Sequence, residues 1–129
     1  MKKTKQQFVK EWILFAEEDL KSAGYLTQTK LFNNACFHSQ QAVEKYFKGW
    51  LTHKEIKFTK THDLAQLLSL LRKNGEKINI DIRSIKWLSG CYFETRYPDA
   101  YFEFHTKKDA EKALAIAEKI IKKVKNKLK

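Results

Sequence analysis

Apolar residues recur every three to four positions through most of the chain, the period of helices buried along one side. Five segments follow this rule. The first covers about residues 5–27, where Phe8, Val9, Trp12, Ile13, Phe15, Ala16, Leu20 and Ala23 share a stripe. The second covers about 31–52 and is the most apolar. Ala35, Cys36, Ser39, Ala42, Val43, Tyr46, Phe47 and Trp50 cover more than half its circumference, which predicts a central place in the fold. After a connector at 54–60, Thr61 is the expected N-cap of a short third helix, with Asp63 in its first turn. Leu64, Leu67, Leu68 and Leu71 form its apolar face, and Asn74-Gly75 ends it. A fourth segment at about 80–95 carries Ile82, Ile85, Leu88 and Tyr92 on one side. Thr106 with Asp109 reads as a capping box opening the last helix. Ala110, Ala113, Leu114, Ala117, Ile120, Ile121, Val124 and Leu128 point inward along it.

Helices joined mostly by short connections predict an all-α fold: an antiparallel up-and-down four-helix bundle with one additional short helix. The 129 residues suit a single domain over 1–129, and the 4 Gly and 1 Pro are too few for an all-β chain. No apolar run approaches the ~20 residues of a membrane span. The basic N-terminus leads into an amphipathic pattern and not into a signal-peptide core, so the expected location is cytoplasmic, with no membrane partner.

The net charge of +11 points toward polyanionic partners, but only in part. Lys119, Lys122, Lys123, Lys125, Lys127 and Lys129 lie in the last turns, where the helix dipole also favours cations. Cys36 and Cys91 lack metal-site spacing and read as buried thiols, so no metal site is expected. Gly-rich phosphate loops, His-Glu-x-x-His and Cys-x-x-Cys are missing from the sequence.

Some residues interrupt the pattern. Asp19 falls in the middle of the first helix's apolar arc, where an unpaired carboxylate is costly. Arg96 falls on the fourth helix's stripe and is followed by Tyr97 and by Pro98, which should end the helix there. Opposite charges out of place suggest that Asp19 and Arg96 meet, directly or through His38 or Lys45. Such a pair either fixes helix register or stands at the mouth of an anion site. The second helix has a narrow polar stripe of His38, Gln41, Lys45, Lys48 and Thr52. It is either a solvated face or a source of cationic groups converging on a phosphate. His62 opens the third helix, as a cap, a packing group or a ligand. Leu14, Tyr25 and Trp87 lie off the apolar stripes, as expected of a surface that meets a partner, most simply a second copy.

Four stretches together resemble the HEPN family (higher eukaryotes and prokaryotes nucleotide-binding). They are Ala16-Glu17-Glu18-Asp19-Leu20-Lys21-Ser22-Ala23, His38-Ser39-Gln40-Gln41-Ala42-Val43-Glu44-Lys45-Tyr46-Phe47-Lys48, Thr61-His62-Asp63-Leu64 and Arg96-Tyr97-Pro98-Asp99. Their order and spacing match over nearly the whole chain. The resemblance implies an all-α homodimer that binds nucleotide or RNA. It also implies a minimal nucleotidyltransferase as partner, in a toxin–antitoxin-like pair. In the ribonuclease branch of the family, an arginine and a following histidine cleave RNA without metal. Arg96 matches that arginine, but His105 follows it with eight residues between, a wider gap than that branch uses. The Arg-Tyr-Pro-Asp form is closer to the non-toxin, nucleotide-binding branch. The expected ligand-binding residues are then Arg96, Tyr97, His38, Lys45, Lys48 and His62, supported by Asp19, Glu44 and Asp99. No cofactor is expected beyond a nucleotide ligand. Two alternatives stand beside this: a metal-independent endoribonuclease using Arg96 with His105 or His38, and a non-catalytic dimeric adaptor.

Overall fold

The computed structural model describes residues 2–94 and 103–129, the side chains of 93 and 94 excepted. Its helices are α1 (Lys5–Gln28), α2 (Phe32–His53), α3 (Leu64–Lys73), α4 (Ile82–Glu94) and α5 (Lys107–Lys127), and no strand occurs among the described residues. No described helix is long and apolar enough to cross a membrane. Side-chain pairs fix the helix directions. Asp19 meets Lys45, Glu17 meets Tyr46, and Gly49 faces Trp12 and Val9, so α1 and α2 run antiparallel. Tyr92 near the end of α4 reaches Phe37 near the start of α2, so these two oppose as well. Lys123 of α5 reaches the Asn79 carbonyl just before α4, which opposes α4 and α5. The result is an up-and-down four-helix bundle, with α3 as the additional short helix.

The helix ends follow from local chemistry. Thr4 and Gln7, and Thr106 and Asp109, form capping boxes on α1 and α5. The cap of α3 is Asp63 and not Thr61: the Asp63 carboxylate accepts from the Ala65 and Gln66 amides. Asp outcompetes Thr because its charged oxygen meets the dipole of the first turn. Thr61 instead accepts from the Asp63 amide and hydrogen-bonds Gln66. His62 therefore precedes the helix. Three helices end alike. Leu31, Ile56 and Glu76 donate back to the carbonyls of Leu26, Leu51 and Leu71, and Lys30, Glu55 and Gly75 adopt positive φ.

Helix α2 is the central element, with Ala35, Cys36, Ala42, Val43, Tyr46, Phe47, Trp50 and Leu51 all fully buried. Gly49 lets α1 approach, since a Cβ there would lie 3.2 Å from the Trp12 Cβ. Burying Leu64, Leu67, Leu68 and Leu71 of α3 contributes roughly 1.5–3 kcal/mol each. The expected stripes need three corrections. Phe8, Phe15 and Ile82 are exposed, at 46%, 55% and 42%. The buried strip of α1 is narrow (Ala16, Asp19 and Ala23), so its flanking aromatics stay outside. Trp87 is the converse case. It packs against the core and carries the Lys112 ammonium 4.1 Å from its ring centroid. Leu14 and Tyr25 are exposed, as their off-stripe positions predict.

Candidate functional site

Two buried carboxylates organise the polar side of α2. Asp19 enters from α1, only 8% exposed. Its two oxygens take separate partners: Oδ1 lies 2.8 Å from His38 Nδ1 and Oδ2 lies 2.5 Å from Lys45 Nζ. Facing a carboxylate, His38 Nδ1 must carry its proton, which leaves Nε2 as the ring's other polar atom. Burial pushes the Asp19 carboxyl up, but the hydrogen bonds and charges of His38 and Lys45 outweigh it and hold the carboxyl below its ordinary value. Further along α2, Glu44 repeats the arrangement. It holds Lys48 Nζ at 3.0 Å and His62 Nδ1 at 2.9 Å. The buried Gln40 side chain donates to the His62 carbonyl at 2.9 Å, which fixes the connector against α2.

Aromatic rings join the two units. His38 meets Phe37 edge-on at 5.4 Å, and Phe37 lies 5.7 Å from Tyr92. Tyr92 stacks on His62 at 3.9 Å with 14° between the planes. The floor is thus two carboxylates, two ammonium groups and two imidazoles. Formal charge balances with both imidazoles neutral, and the cluster turns net positive once either is protonated. Access differs among the members. The side chains of Lys45, His38 and His62 are 24%, 32% and 44% exposed, whereas that of Lys48 is 9% exposed. Lys48 is thereby committed to Glu44, while the His38, Lys45 and His62 side chains are partly open to solvent.

A family model described as HEPN domain matches residues 9–127. The chain belongs to the HEPN family. "Putative toxin MJ1304" of Methanocaldococcus jannaschii is 32% identical over 136 residues, covering 95% of this chain and 90% of the relative. The crystal structure of TT1696 from Thermus thermophilus superposes with a TM-score of 0.84 at 30% identity, over 93% of this chain and 98% of the other. That of ST0689, an archaeal HEPN homologue, gives 0.74 at 31% identity over the full length of both.

Within this HEPN bundle, Asp19, His38, Lys45, Glu44, Lys48 and His62 come together, and Asp19 binds both α2 residues named as its possible intermediaries. Arg96, Tyr97 and Asp99 lie outside the described residues, so the expected Asp19–Arg96 meeting does too. His105 has other partners among the described residues. Its backbone amide donates to Asn33 at 2.7 Å, its Nδ1 stands 3.4 Å from Asp109, and its side chain is 9% exposed. It also meets sulfur: the Cys36 and Cys91 thiols and the His105 imidazole have ligand atoms within 4.8 Å of one another.

Sequence reasoning passed over Gln40, Tyr92 as a stacking partner, and the Cys36–Cys91–His105 convergence. Gln40 was open to detection, because it sits on the buried arc between Cys36 and Val43 as Asp19 does on α1. A thiol pair carried on two different helices, with α3 between them in sequence, leaves no such periodic mark.

Proposed function

We propose that this HEPN domain binds a nucleotide or another phosphate-bearing ligand at the His38–Lys45–His62 surface. It does so as a homodimer paired with a minimal nucleotidyltransferase in a toxin–antitoxin-like system. The observation that carries the reading is the Asp19 carboxylate holding His38 and Lys45 side by side, half-buried and oriented. An ammonium group and an imidazole that donates from Nε2 once both ring nitrogens are protonated, fixed within one helical face, suit phosphate oxygens better than free lysines, because their ordering is complete before the ligand arrives. Arg96 and Tyr97, a few residues beyond Tyr92 in sequence, would add a guanidinium and a stacking ring. Exposed Leu14 and Tyr25 support a protein partner.

The name of the Methanocaldococcus relative gives only a toxin; joined to the ribonuclease branch that the motif resembles, it supports a second reading, a metal-independent ribonuclease toxin. In that reading Arg96 stabilises the pentavalent phosphate and a histidine moves the proton. His38 is the better candidate for that role, since its side chain is 32% exposed against 9% for His105. Titration of nucleoside triphosphates and short single-stranded RNA, beside a cleavage assay in chelator, separates the readings. Saturable binding without cleavage, lost in Lys45→Met and in Arg96→Ala, is expected. Cleavage lost in His38→Ala would favour the toxin. Failure of every nucleotide and RNA to bind, with partner binding intact in Arg96→Ala, would leave an adaptor.

A further inference from the structure

We propose that Cys36, Cys91 and His105 form a binding site for one Zn2+ ion. Three elements supply the donors: the start of α2, the end of α4 and the residue just before the Thr106 cap of α5. Their ligand atoms already lie within 4.8 Å of one another. Tetrahedral zinc, with Zn–S of about 2.3 Å and Zn–N of about 2.0 Å, needs such atoms roughly 3.5–4 Å apart. A change of about 1 Å closes the difference, which is within the reach of side-chain rotation.

The surroundings favour this ion. Cys36 and Cys91 are 0% and 1% exposed, in an apolar core. Zn2+ displaces two thiol protons to solvent, and the resulting two thiolates, neutral imidazole and dication sum to zero charge. A neutral complex suits a low-dielectric site, whereas a monovalent soft cation would leave a buried negative charge. Asp109 stands 3.4 Å from His105 Nδ1, the position from which a carboxylate orients a metal-bound imidazole through its other nitrogen. Asn33 fixes the His105 backbone. A groove of about 430 Å3 lined by Lys30, Phe32, Asn33, Phe104 and His105 opens at the imidazole donor. Three protein donors leave one tetrahedral position for water or an anion. Cys91 and His105 also bracket Arg96-Tyr97-Pro98-Asp99 in sequence, so the ion would anchor both ends of the segment that carries the motif.

The test is titration of the reduced, full-length protein with Co2+, which takes the same ligands and reports thiolate bonding by its charge-transfer absorbance. Saturation at one equivalent, reversal by Zn2+ and loss of the band in Cys36→Ser and Cys91→Ser are expected. Asp109→Asn should weaken the metal roughly 10–100-fold while keeping the band. Solvent-exposed histidines can bind Co2+ but give no thiolate band. Absence of that band in folded wild-type protein would overturn the proposal, and this readout does not depend on any variant folding. A Cys36–Cys91 disulfide that re-forms in preference to metal uptake would overturn it as well.

Discussion

Replacing Asp19 by Asn keeps the side chain's shape and removes the charge on which the site is built. His38 and Lys45 then face an amide where a carboxylate stood 2.8 and 2.5 Å away. Removing one partner of a buried ion pair costs about 3–5 kcal/mol. Here the His38 and Lys45 side chains both reach solvent, at 32% and 24%, and can turn outward, which reduces the loss to about 1.5–3 kcal/mol. At about 4 °C per kcal/mol for a domain of this size, the melting midpoint should fall by about 6–12 °C at neutral pH. The pH dependence has a definite sign. The folded Asp19 carboxyl lies below its ordinary 3.8, so its contribution is complete above that value and disappears as pH falls through the lower, folded one. The gap between wild type and Asp19→Asn should hold at neutral pH and close in acid. A cycle with Lys45→Met should show a coupling of about 1–2 kcal/mol. A midpoint within about 1 °C of wild type, or a gap that widens in acid, would refute the electrostatic account.

Other consequences are independent of the site. Lys30 holds φ 67° at the end of α1, so Lys30→Gly should raise stability by about 1 kcal/mol in urea denaturation. Gly49→Val should destabilise by about 1–3 kcal/mol and loosen α1 in hydrogen exchange, because the Trp12 Cβ already lies 3.2 Å from the position of a Cβ. Burial, reinforced by the Glu17 carboxylate, raises the Tyr46 phenol above its ordinary value of 10.0. Its stabilisation is complete below that value and lost as pH rises through the folded one, so the wild-type advantage over Tyr46→Phe should persist at neutral pH and close in strong alkali.

Much of the fold was legible in the sequence because helical periodicity reports burial directly. The eight residues placed on the inward arc of α2 are all fully buried, and the one carboxylate on the α1 arc is the one the bundle encloses. Periodicity failed at the edges of stripes. Phe15 shares an arc with Ala16 yet lies outside it, where its ring takes the Lys45 ammonium at 5.7 Å. It also failed at the turns after α1 and α2, where Lys30 and Glu55 adopt a backbone that composition reserves for Gly or Asn. Of the site, Asp19 announced itself as an intruder, and the α2 stripe supplied its partners. The stacking of His62 on Tyr92 and the meeting of Cys36 with Cys91 and His105 depend on tertiary geometry, which no local spacing encodes.

The central claim is that the Asp19-ordered face of α2 receives phosphate. Side-chain-resolved NMR of the histidine rings and lysine ammonium groups during titration with a nucleoside triphosphate tests it most directly. The account predicts saturable shifts at His38, Lys45 and His62 with one common midpoint, abolished in Lys45→Met. Shifts confined to the α5 lysines, with the His38 and His62 rings unmoved at saturation, would contradict it.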